Sequence, residues 1–157
     1  MPTHLKYNYY IFGMSTQVSH LSGIPWDQAI DLSKRAVQAR LSPAAARAFF
    51  RIAHAWKLRD EDSRALLGGI SNGAFYNLKR RPARSLDQDR LTRISLLVGI
   101  FKALNILYSR KLADAWIQLL NGNPMFGGST PLAYMLKGGM PAMVRVRQLL
   151  DARRGGL

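Results

Sequence analysis

The chain contains no cysteine, which excludes disulfide frameworks, cysteine-ligated zinc or iron–sulfur sites and thiol nucleophiles. Its three histidines, His4, His20 and His54, are scattered, with no carboxylate at metal-ligand spacing, so no metal site is expected. Acidic residues are scarce as well, 9 Asp and Glu against 23 Lys and Arg, which gives a formal net charge of +14 over 157 residues. No nucleophile stands beside a base, so neither an enzyme activity nor a cofactor is expected. No run approaches the ~20 apolar residues that cross a bilayer, and Tyr9-Tyr10-Ile11-Phe12 is too short for a signal-peptide core. The chain therefore reads as cytoplasmic, with no membrane partner.

What is present is apolar content and positive charge. Hydrophobic residues make up 48% of the chain, enough for a modest helical core. The excess of cations repels itself unless an anionic partner accepts the field, and nucleic acid is the first such partner to consider because the basic residues interleave with short helical patterns.

Residues 1–24 show no helical period and read as a mobile arm. From Pro25, Trp26, Ile30 and Val37 share one helical face, with Lys34, Arg35 and Arg40 on the other. Ser42-Pro43 then predicts an N-cap and a proline at the first position of a second helix, whose stripe is Ala46, Phe49, Phe50, Ala53 and Trp56. Asp60-Glu61-Asp62 suits a helix N-terminus, which favours negative charge and explains the triplet better than a magnesium site does. Gly68-Gly69 ends that helix, and Ser71 caps another that Pro82 breaks. Ser85 and Gln88 stand at capping-box spacing ahead of a long apolar pattern from Leu86 to Tyr108, covering more than one face, which predicts a central helix whose leucines are mostly core and part of which forms a symmetric dimer interface. A helix with Leu112, Ala115, Trp116, Leu119 and Leu120 follows and stops at Asn121-Gly122. Thr130-Pro131 opens a short helix closed by Gly138-Gly139, and Pro141 opens the last. No segment alternates long enough to be a strand, so the expected fold is all-α.

Residues 58–82 read as helix, glycine-containing turn, helix, the arrangement that places the N-terminal part of a second helix in the major groove of DNA. That part holds Ser71, Asn72, Phe75 and Tyr76. Asn72 offers the amide fork that suits adenine, and the aromatics suit thymine methyls or sugars, although one of the two is expected in the core. Lys79, Arg80, Arg81 and Arg84 follow, where phosphates pass.

The C-terminal third combines Trp116, then Asn123-Pro124-Met125-Phe126-Gly127-Gly128-Ser129-Thr130-Pro131-Leu132, Met135-Leu136-Lys137-Gly138-Gly139 and Val146-Arg147-Gln148-Leu149-Leu150-Asp151-Ala152. In this order the pieces resemble the C-terminal toxin-binding domain of the Xre/MbcA/ParS antitoxin family over roughly residues 95–154. Upstream, Leu67-Gly68-Gly69-Ile70-Ser71 and Leu86-Asp87-Gln88-Asp89-Arg90-Leu91-Thr92-Arg93-Ile94 are similar to that family's helix–turn–helix region, with Leu78 where the family often carries a tryptophan. Residues 1–24, the flexible arm, have no counterpart in that family; for the rest the resemblance implies a helix–turn–helix DNA-binding region at 25–94 and a small helical toxin-binding domain with a basic tail at 95–157.

It also implies a dual role: binding a cognate toxin, often a RES-domain protein that consumes NAD, and repressing the shared operon as a complex. The expected contacts are the basic tail Arg153, Arg154, Gly155, Gly156 and Leu157 in the toxin's NAD cleft, with Arg145, Arg147 and the loop around Phe126 on its rim. A homodimer would read an inverted repeat in operator DNA, its half-sites ~34 Å or a multiple apart. The competing readings are a plain helix–turn–helix transcriptional regulator and a sequence-independent nucleic-acid-binding protein.

Overall fold

In the computed structural model, residues 30–82 and 85–155 are described. They form six α-helices with two single-turn 3₁₀ segments and no strand, as the sequence patterns predict. Among these residues no helix is long and apolar enough to cross a membrane. The expected arm at 1–24 and Trp26 lie outside the described residues; residues 30–34 are not helical, so the helix expected from Pro25 begins only at Arg35.

The first helix, α1, runs from Arg35 to Ala55 with Pro43 inside it, so the two helices expected on either side of Ser42-Pro43 are one. Proline removes a single intrahelical bond, and the helix continues because Leu41, Ala45, Ala46, Phe49 and Ile52 bury one uninterrupted stripe. Ser42 is not a cap. Its hydroxyl donates back to the Gln38 carbonyl at 2.5 Å and accepts from the Leu86 amide at 2.7 Å, a fully buried link between α1 and the approach to the fourth helix. The end of α1 is closed by Lys57 at φ 53. The Lys57 amide donates to the His54 carbonyl and that of Leu58 to Ala53, a Schellman closure usually made by glycine.

Two short helices follow, α2 over Asp60–Leu66 and α3 over Asn72–Arg80. The fourth, α4, spans Gln88–Leu107 and is capped by Asp87, whose carboxylate accepts from the Arg90 amide at 2.9 Å; Ser85, expected in that role, lies two residues too early. Ser109 caps α5, Arg110–Ala115, which tightens into a 3₁₀ turn at Trp116–Gln118. The expected helix to Leu120 therefore stops short, leaving Leu119 46% and Leu120 79% exposed. A 3₁₀ turn at Pro124–Phe126 precedes α6, Pro131–Arg154, whose N-cap is Thr130. Gly139, at φ 64 and ψ −148, breaks α6 into two arms, as the glycine pair ahead of Pro141 predicts.

The core is organised around α4, which packs against α1 on one side and α6 on the other. Leu91, Ile94, Leu97, Ile100, Ala103 and Leu104 are wholly buried with Phe49, Trp56, Met143, Val146 and Leu150. At ~1.5–3 kcal/mol per large side chain removed from water, this sandwich is the main source of stability. Most of the apolar positions of α4 are thus covered within the chain, as core, while Ile106 near its end stays 63% exposed.

The joint between α4 and α6 contains a charge. The Arg147 guanidinium donates to Asp151 at 2.8 Å with only 13% of its side chain exposed. It lies directly over Gly99, where a Cβ would fall 1.5 Å from Nη1 and 2.6 Å from the guanidinium carbon. Nearby, burial and the charge of Arg147 push the Lys102 ammonium below its ordinary value. Alanine is the better helix former by ~1 kcal/mol, yet Gly99→Ala is expected to lower stability by about 1–3 kcal/mol, because the displaced guanidinium loses buried hydrogen bonding. In an Arg147→Ala background the same change should be neutral or stabilising. Urea denaturation of the four proteins decides, and equal losses in both backgrounds would contradict this packing.

Candidate functional site

The turn between α2 and α3 is built by two glycines in left-handed conformation, Gly68 at φ 85 and Gly69 at φ 79. A side chain at Gly68 would also crowd the ion pair between Arg93 and Asp89 of α4, since a Cβ there would stand 3.1 Å from Arg93 Nε. Arg64 steadies the turn by donating from Nε to the Ile70 carbonyl at 2.8 Å. Ser71 then caps α3, accepting from the Ala74 amide at 3.2 Å. The chain thus turns sharply and presents Ser71 and the first residue of α3, Asn72, to solvent.

One face of α3 is held inward. Phe75 is 1% exposed and packs against Phe50 and Tyr76 at centroid distances of 5.5 and 5.6 Å. This corrects its reading as a base contact: Phe75 is the core member of the aromatic pair. Leu78 is equally buried and fills the core where the family often has tryptophan. The outer face carries Tyr76, Lys79, Arg80 and Arg81, all exposed; Arg84 lies outside the described residues.

A residue read only as a helix-start charge organises that face. Asp60, the first residue of α2, accepts from the Tyr76 hydroxyl at 2.9 Å and stands 3.7 Å from the Lys79 ammonium. The neighbouring carboxylate, through that hydrogen bond and its charge, raises the Tyr76 phenol above its usual value and keeps it a donor. Asp60 thereby links the start of α2 to the outer face of α3. Its two partners lie 16 and 19 positions along the chain, so no local spacing announces them. Asp62 is engaged by Arg59 in a two-pronged bond of 3.0 and 3.1 Å, which draws the Arg59 guanidinium above its ordinary value. Among the described residues no group of three potential ligands could hold a metal ion.

The second candidate surface lies around α6. Trp116, Phe126 and Tyr134 stack edge to face, at 6.0 and 5.4 Å. Phe126 is 3% exposed, so it supports the loop from beneath and does not offer itself as a rim contact, a second correction. Above it Asn123 caps the 3₁₀ turn, and Gly127 and Gly128 turn the chain at φ 56 and 80. Met125, Tyr134, Pro141, Lys137 and Arg145 line an open cleft of about 740 Å³ between this loop and the kink of α6.

Arg145 is exposed on that cleft, whereas Arg147, at the joint with α4, is largely covered. The basic end also differs from expectation, because α6 continues through Arg154. Arg153 is not on a loose tail: it donates to the Tyr108 hydroxyl at 3.1 Å, and Arg154 pairs with Asp151 at 3.7 Å. Gly155 is the helix C-cap, and Gly156 and Leu157 lie outside the described residues.

Two family models match the chain in succession. Residues 35–99 match the antitoxin Xre-like helix-turn-helix domain, and residues 103–156 match the antitoxin Xre/MbcA/ParS C-terminal toxin-binding domain. The chain is also 41% identical over 115 residues to a Sinorhizobium fredii (strain NBRC 101917 / NGR234) protein named Uncharacterized protein y4oB, an alignment covering 73% of this chain and 87% of that relative. The two matched segments meet within α4. With a glycine-turned helix pair on one side of that helix and the kinked α6 with its capping loop on the other, the chain belongs to the Xre/MbcA/ParS family of antitoxins.

Proposed function

We propose that this antitoxin neutralises a RES-domain, NAD-consuming toxin by seating the basic end of α6 in the toxin's active-site cleft, and that it represses its own operon through α3. In this reading residues 25–94 read the operator and residues 95–157 hold the toxin. The observation that carries it is a pair of separate cation groups, one on each matched segment: Lys79, Arg80 and Arg81 behind the capped start of α3, and Arg145, Arg153 and Arg154 along the last arm of α6. Guanidinium groups of this kind bind by forking onto carboxylates, so the toxin surface that receives the helix end is one that presents acidic side chains. Arg145 and Lys137 supply the outer contacts.

On the DNA side, Asn72 reads a base edge from the first turn of α3 while Tyr76 and the three cations fix its register on sugar and phosphate. A pair of chains would present two copies of α3 to an inverted repeat with half-sites ~34 Å or a multiple apart.

The two activities should separate by mutation. Ending the chain after Ala152 is expected to abolish rescue of cells expressing the toxin while leaving operator affinity unchanged in gel-shift titrations; rescue by the shortened protein would exclude the helix-end model. Asn72→Ala should cost operator binding ~1–3 kcal/mol and relax preference at one base position. Arg80→Ala with Arg81→Ala should instead weaken all sequences alike, reducing the salt slope by about two, and leave toxin binding intact. A double variant that keeps the full slope would remove these arginines from the interface.

A further inference from the structure

Arg47, Arg51 and His54 recur at three- and four-residue intervals along one face of α1, and Lys57 follows at the helix end. Lys79 from the end of α3 and Arg110 from the start of α5 join them around an open cleft of about 850 Å³, which Phe50 and Phe101 also line. Asp114 is the one carboxylate of the lining, and its Oδ1 is withdrawn from solvent without a partner. The side chains of Arg47, Arg51, Lys57 and Arg110 are exposed and form none of the ion pairs found among the described residues. Permanent cations from four places in the chain thus face one concavity, where they repel one another unless an anion occupies it.

Lys57 adds to this. Its φ of 53 is a left-handed conformation that costs a side-chain-bearing residue roughly 1 kcal/mol or more relative to glycine. A cation stands on the cleft edge where backbone conformation alone favours glycine.

We propose that this cleft seats the sugar–phosphate backbone of duplex DNA flanking the bases read by α3, so that α1 and Arg110 of the toxin-binding segment form a second part of the nucleic-acid interface. The inference rests on the operator reading above. A duplex is favoured over an acidic peptide because Lys79 and Pro82 carry the cleft wall onto the basic end of α3; a strand running off that end meets the cleft next. The lining holds no carboxamide or hydroxyl side chain among the described residues, which also fits a backbone contact, since such a contact needs charge and carries no sequence information.

The test compares the full-length chain with Arg51→Gln/Arg110→Gln on two operator fragments, one ending at the bases read by α3 and one extended by a half turn of duplex on each side. The wild-type protein should bind the long fragment more tightly and with a steeper salt dependence. The double variant should lose about two from the slope on the long fragment only, which between 50 and 200 mM salt is roughly a tenfold difference. Lys57→Gly should lose about one from the same slope while its urea midpoint holds or rises, so weakened binding there is not a folding defect. Equal affinity of the wild type for both fragments, or an unchanged slope in the double variant, would overturn the proposal and leave the α3 reading standing. Failure of the wild type to bind either fragment would overturn both. Titration with inorganic pyrophosphate forms the last arm: saturable binding lost in the double variant, with no dependence on fragment length, would make the cleft a free-anion site and reject the duplex.

Discussion

The packing of α4 between α1 and α6 is the constraint on which the rest depends. Neither segment matched to a family model is closed without this helix. Its first half backs the glycine turn through Arg93 and Asp89, and its second half receives Met143, Val146 and Leu150 of α6. A helix that is apolar on several faces must be covered on several faces, and here α1 and α6 of one chain cover most of them, Ile106 excepted. The DNA-reading and toxin-binding surfaces are consequently mounted on one piece of hydrophobic core.

The scarce carboxylates are placed where they organise cations that would otherwise be unrestrained. Asp62 holds Arg59, Asp87 holds Arg90, Asp89 holds Arg93 and Asp151 holds Arg147. Most of these pairs are at least half solvated on one side and contribute little to stability by themselves; their effect is to fix geometry at the turn, the start of α4 and the α4–α6 joint. Asp60 does the same on the outer face of α3, where it links Tyr76 and Lys79. The remaining cations face outward in groups, which is how a chain with net charge +14 directs its field at partners without disrupting its core.

Features set by neighbouring residues were legible in the sequence. The Ser71 and Thr130 caps, the Gly68-Gly69 turn and the break at Gly139 each follow from local backbone chemistry. Features decided by distant partners were not. Ser42-Pro43 carries a helix-start signal, but the serine hydroxyl is claimed by the Leu86 amide 44 residues on, and burial of the surrounding stripe keeps the helix continuous. Phe126 lies in an exposed-looking glycine loop and is drawn under it by Trp116 and Tyr134. Arg153 and Arg154 have the composition of a frayed tail, yet Tyr108 and Asp151 hold them in the helix. The cleft beside α1 combines residues 47–57 with Lys79 and Arg110; the spacing of the cations on α1 was readable, but their convergence with α3 and α5 exists only in the folded chain.

The most direct measurement of the central claim is native-state amide hydrogen exchange across the three helices of the sandwich. A shared core predicts that the most protected amides of α1, α4 and α6, around Phe49, Ile94 and Val146, exchange with one common opening free energy and lose protection together as urea is added. Protection in α6 that collapses at lower urea while α1 and the first half of α4 remain closed would contradict it, showing two separately folding units joined by a helix.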